Sequence, residues 1–147
     1  MNFLPIHINN ETINIVNKII NNKNKLTIER TRKLDTSAKT KKHLSNEKDD
    51  KFKYITYHTT TKTYYSDIKL DIYEKTKIIL NMAGYLKPKI VNNCNLTESK
   101  FYIIPHNNDE CNKIIKLLQS NEVIQYLKLC KYSGFNSRPV LESISFD

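Results

Sequence analysis

Three short apolar runs followed at once by two helical patterns constrain this chain more than any other feature. Lys77-Ile78-Ile79-Leu80-Asn81, Lys89-Ile90-Val91 and Phe101-Tyr102-Ile103-Ile104 are of strand length, and Pro105 stops the last. Gly84 and Pro88 require a turn between the first two. Asn107 and Glu110 stand at capping-box spacing and open a helix, with Ile114, Ile115, Leu117 and Leu118 on its buried face. Ser120 breaks that pattern and caps a second helix, lined by Val123, Leu127 and Cys130 at i, i+4, i+7. Gly134 ends it, and Pro139 prevents simple continuation. Strands grouped ahead of helices predict an α+β fold: a mixed sheet of about four to six strands with helices packed on one face.

Residues 10–24 are predicted helical, with Ile13, Val16 and Ile20 on one face, Ile15 and Ile19 beside them, and Asn10 as N-cap. Residues 26–53 hold few large apolar groups and no amphipathic period, so a basic loop, poorly ordered until something binds it, is expected. Tyr54–Tyr65 mixes aromatic residues with threonines and predicts a hairpin. Val140, Ile144 and Phe146 alternate with polar groups and predict a final strand. The division expected is an N-terminal helix and basic, partly flexible segment over residues 1–53, then an α/β domain over 54–147.

The 147 residues carry a net charge of +9. It is unevenly spread: residues 18–62 hold 13 of the 24 basic and 5 of the 15 acidic residues, so this stretch carries +8 and the remainder +1. A polyanionic partner follows, nucleic acid ahead of membrane; a solvated basic loop is the plainer account. Mean hydropathy is −0.58, and no apolar run approaches the length of a membrane span. There is no secretory pattern at the N-terminus. Cys94, Cys111 and Cys130 are odd in number and lack C-x-x-C spacing, which predicts reduced thiols, with Cys111 and Cys130 as small core residues. These features predict a soluble cytoplasmic protein.

Chemistry is sparse. The two glycines, Gly84 and Gly134, permit neither a P-loop nor a G-x-G-x-x-G turn. His7, His43, His58 and His106 are dispersed, without metal-ligand spacing, so no metal and no cofactor are expected. Glu98-Ser99-Lys100, with Asp71 upstream, matches the acidic residue and Glu-x-Lys pattern that holds magnesium in many nucleases. Such triplets also arise by chance in a Lys-rich chain, and this one lies before a strand rather than along it.

The order Tyr54–Tyr65 hairpin, Lys77–Val91 strand and Lys-Pro-Lys turn, Phe101–Pro105 strand, helix pair and Lys131-Tyr132-Ser133-Gly134-Phe135-Asn136 loop resembles the C-terminal target-recognition region of TaqI-type adenine DNA methyltransferases and their restriction-modification relatives. The resemblance covers roughly residues 52–146. It implies a DNA-recognition module for residues 54–147, carried by bacteria or by a large DNA virus; a viral source, which would place the protein inside the host cell, fits the Asn/Lys/Ile bias. The methyltransferase half is missing, as is an Asn-Pro-Pro-Tyr-like loop, so catalysis by this chain alone is not implied.

The expected function is therefore double-stranded DNA binding by a stand-alone or truncated recognition module, with a separate methyltransferase or nuclease subunit as a further partner. Phosphate contacts are expected from Arg30, Arg32, Lys33, Lys41 and Lys42. Lys87, Lys89, Lys131 and Asn136 are expected on the recognition face. Two alternatives stand: a small magnesium-dependent endonuclease using Asp71, Glu98 and Lys100, and a protein-interaction subunit.

Overall fold

The computed structural model describes residues 10–37, 39–82, 84–130 and 137–147. The fold is α+β, and its strands are divided among three sheets. At its centre is an antiparallel three-stranded sheet in the order β6-β5-β8, from β5 (Lys77–Asn81), β6 (Lys89–Val91) and β8 (Lys100–Ile103). Ile78, Leu80, Phe101 and Ile103 point to one face and join the core formed with the helices. Ile79, Val91 and Tyr102 point to the other, where Cys94, Leu96, Ile55, Tyr57 and Ile72 meet them. Strand side chains alternate between faces, so a strand covered on both sides must be apolar at consecutive positions. That is why Ile78-Ile79-Leu80 shows no alternation.

The second layer is a four-stranded sheet in the order β2-β4-β3-β7, built from β2 (Leu44–Ser45), β3 (Tyr54–Tyr57), β4 (Thr63–Ser66) and β7 (Asn95–Leu96). β3 and β4 are the expected hairpin, and β7 runs parallel to β3. A single sheet was expected; the double-faced burial of β5 instead requires a second sheet to cover Ile79.

Helices cover the opposite face of the central sheet, as read from the sequence. They are α1 (Asn10–Ile20), α2 (Asn108–Leu118), α3 (Asn121–Cys130) and α4 (Arg138–Ser143). In α1 the buried stripe is Val16, Ile19 and Ile20, while Ile13 is 45% exposed. The helix is thus turned from the expected Ile13–Val16–Ile20 face, because Val16, Ile19 and Ile20 form a tighter i, i+3, i+4 stripe against α3. The Asn107 side chain accepts from Glu110 N–H at 2.8 Å, so half of the expected capping box forms. In α3, Val123, Tyr126 and Cys130 are buried, and Leu127 is only partly covered. The expected strand over 140–146 is mostly α4: Pro139 sits in its first turn, where a missing N–H costs nothing. Only β9 (Ser145–Phe146) is extended, pairing antiparallel with β1 (Asn24–Lys25).

Residues 26–53 are largely irregular, as expected, yet they are anchored. Leu26, Ile28 and Leu34 are fully buried. Glu29 exchanges backbone hydrogen bonds with Tyr102 at 2.8 and 2.9 Å. A 3-10 turn at Lys41–His43 leads into β2. The core thus draws residues from both sides of the position 53 boundary. No helix among the described residues is long and apolar enough to cross a membrane.

Candidate nucleic-acid interface

Lys77, Ile79 and Asn81 project from one face of β5, and pairing places Lys89 and Tyr102 beside Ile79 and Lys100 beside Asn81. This face packs on the hairpin sheet. Its chemistry changes along the strand, from apolar at Ile79 to polar at Asn81 and Lys100. The sheets part at that polar end, where the β3–β4 turn forms the opposite wall. Two adjoining cavities open there, of about 340 and 400 Å³. Thr59, Thr60, Asn81 and Lys100 line both. Tyr57, Lys87 and Lys89 line the first, and Arg30, His58 and Ser99 the second. Neither lining includes a carboxylate.

Lys100 is the centre of this arrangement. Only 6% of it is exposed, and its Nζ donates to Asn81 Oδ1 at 2.7 Å. Burial lowers its pKa, and the nearby Lys89 and Lys87 lower it further. Lys89 lies over the Tyr57 ring, 5.9 Å from its centre. Lys87 has φ +44°, in the left-handed region that a side chain resists. The turn holds it there: Asn81 N–H donates to Leu86 O at 2.9 Å, and Asn81 Nδ2 to Tyr85 O at 3.1 Å. His58 Nδ1 meets Thr97 Oγ1 at 2.6 Å. Burial lowers its pKa; Asp35 opposes the shift, and Lys100 and Lys62 add to it.

The structure thus gathers Arg30, Lys87, Lys89 and Lys100, while the other expected residues among those described do not line these cavities. Arg30 Nε donates to Glu98 O at 2.7 Å, which fixes its position on the wall. Arg32, Lys41 and Lys42 are exposed and line neither cavity. Lys33 pairs with Asp71 at 3.3 Å across the surface. Lys131 and Asn136 lie outside the described residues. The nuclease grouping is not assembled around Lys100: neither Asp71 nor Glu98 lines its cavities. No cluster of three His, Cys, Asp or Glu side chains able to hold a metal occurs among the described residues. Cys94, Cys111 and Cys130 are free and buried.

Sequence reasoning missed Asn81, Thr59, Thr60 and Ser99. Asn81 had a signal, being the polar end of an otherwise buried period-two face. The threonines had none, because their role depends on the strand opposite the turn. A separate apolar groove of about 280 Å³ lies between the β5–β6 turn and α2/α3, lined by Tyr85, Leu86, Leu118, Ile124 and Leu127. Comparison with protein-family models, curated proteins and solved structures found no match.

Proposed function

We propose that this chain is a DNA-binding module without catalysis of its own, the recognition part of a restriction-modification methyltransferase system. One observation carries the DNA-binding part: four cationic side chains, Arg30, Lys87, Lys89 and Lys100, line a carboxylate-free pair of cavities. Thr59, Thr60 and Thr63 stand among them with hydroxyls that can donate to phosphate oxygens. The order of motifs resembling the TaqI-type recognition region supports the restriction-modification assignment.

The test is fluorescence anisotropy of a labelled duplex across a salt series. Affinity is expected to fall steeply with salt, and Lys87→Gln/Lys89→Gln to flatten the log–log slope by about 2. Absence of duplex binding at low salt would sink the reading. The apolar groove beneath the exposed Tyr85 and Ile124 favours a second reading, a protein-interaction subunit. That reading predicts no duplex binding but co-elution with a methyltransferase catalytic subunit, lost in Ile124→Glu.

A further inference from the structure

A buried ammonium is costly unless something negative meets it. Lys77 and Lys100 are both buried on the same face of the central sheet, and they differ in the number of acceptors that meet them among the described residues. Lys77 Nζ donates to three backbone carbonyls, those of Ile72, Tyr73 and Lys75, at 2.8, 3.3 and 2.9 Å. Lys100 has three N–H donors of the same kind and gives one to Asn81. Among the described residues no carboxylate pairs with it. Its surroundings add cations instead of removing them, with Lys87 and Lys89 on one side and Arg30 on the other.

We propose that the cavity around Lys100 is a receptor for a phosphomonoester, with the terminal phosphate of a DNA strand as its ligand. The inference deepens the DNA-binding reading and rests on it for the source of the phosphate. Depth is the first argument. A phosphate inside a continuous strand has a sugar on each side and needs an open groove, whereas Lys100 is buried where the two cavities meet, between the β3–β4 and β5–β6 turns. A terminal phosphate enters end-on. Charge is the second: a monoester carries close to two negative charges at neutral pH and presents three oxygens. Lys100, Lys87, Lys89 and Arg30 match that demand better than they match a single charge. The third is the pair of lobes meeting at Lys100, one with Tyr57 and Ile79 in its wall. That lobe offers an apolar surface to the nucleoside next to the phosphate.

The experiment compares two labelled duplexes of one sequence, with and without terminal phosphates, on the intact protein and on Lys100→Gln. The phosphorylated duplex is expected to bind about tenfold tighter, the scale of one or two charge-assisted hydrogen bonds. Lys100→Gln should bring the two duplexes to parity by weakening the phosphorylated one about tenfold more than the unphosphorylated one. Lys87→Gln/Lys89→Gln, at exposed positions outside the core, should narrow the same difference and guards against misfolding of the Lys100 variant. Equal binding of both duplexes by the intact protein overturns the pocket proposal and leaves DNA binding intact, as does equal weakening of both by Lys100→Gln. If neither duplex binds at low salt, the DNA reading fails and the pocket is judged with inorganic phosphate and a nucleoside monophosphate. A rise in melting temperature in the intact protein but not in Lys100→Gln then supports a phosphomonoester pocket with a free ligand; no rise overturns it.

Discussion

Lys77 and Lys100 show how one residue type serves two ends through its partners. The carbonyl cage around Lys77 closes the turn at residues 72–75 onto β5, so its role is structural. Lys77→Met leaves those carbonyls without their donor and is expected to cost about 3 kcal/mol in urea unfolding; a loss under about 0.5 kcal/mol would show that the cage contributes nothing. Lys100 sets a pH limit on ligand binding. Its pKa is depressed below 10.5, chiefly by burial, so it loses its charge earlier than a surface lysine as pH rises. Preference for a phosphorylated end is therefore expected to fade in alkali before non-specific duplex binding does, as anisotropy at several pH values would show. Tyr126 behaves in the opposite sense. It is fully buried, bonded to Ser143 Oγ at 2.5 Å, and burial pushes its pKa up from 10.0 to about 12. A raised pKa means that its stabilisation is complete below pH 10 and is lost as pH rises toward 12. The loss is on the order of 2–3 kcal/mol over that window. Tyr126→Phe should remove this part of the alkaline loss in unfolding curves recorded at each pH.

At the level of elements, the central strand β5 is the piece on which the rest depends. Leu80 is fully buried against the helices, while Ile90 on the edge strand β6 is 41% exposed. Leu80→Ala is expected to cost about 2–5 kcal/mol and Ile90→Ala less than about 1 kcal/mol, measured by chemical unfolding. Similar costs at the two sites would contradict the double-faced burial of β5. The start of α2 is a second place where local chemistry can be weighed. Asn107 caps it, but Glu110 turns to His106, with 2.9 Å between Oε2 and the ring Nδ1, instead of completing the box. Asn107→Ala should therefore cost about 1 kcal/mol, the value of a lone N-cap, read from the thermal midpoint.

Across the whole molecule, charge along the sequence and charge in space diverge. Residues 18–62 hold +8, yet of their basic residues only Arg30 lines the cavities. Lys87, Lys89 and Lys100 come from the nearly neutral remainder. The basic stretch supplies a broad field, so Lys41→Gln/Lys42→Gln should weaken duplex binding uniformly and leave any preference for an end phosphate unchanged. A selective loss of that preference would argue against this separation of roles. What the sequence determined by itself was local: the Tyr54–Tyr57 and Thr63–Ser66 hairpin, the strands at residues 77, 89 and 100, and the capped helix pair were legible because periodicity, proline and caps act within a few residues. Less local features are not legible in this way: the strand expected over residues 140–146 is mostly α4, and the loop expected over residues 26–53 places Leu26, Ile28 and Leu34 in the core. Only the tertiary structure decided that Lys100 is buried where two cavities meet, bonded to Asn81. Burial is the work of distant segments, here the β3–β4 turn, the β5–β6 turn and the wall carrying Arg30, and no window of neighbouring residues contains all three.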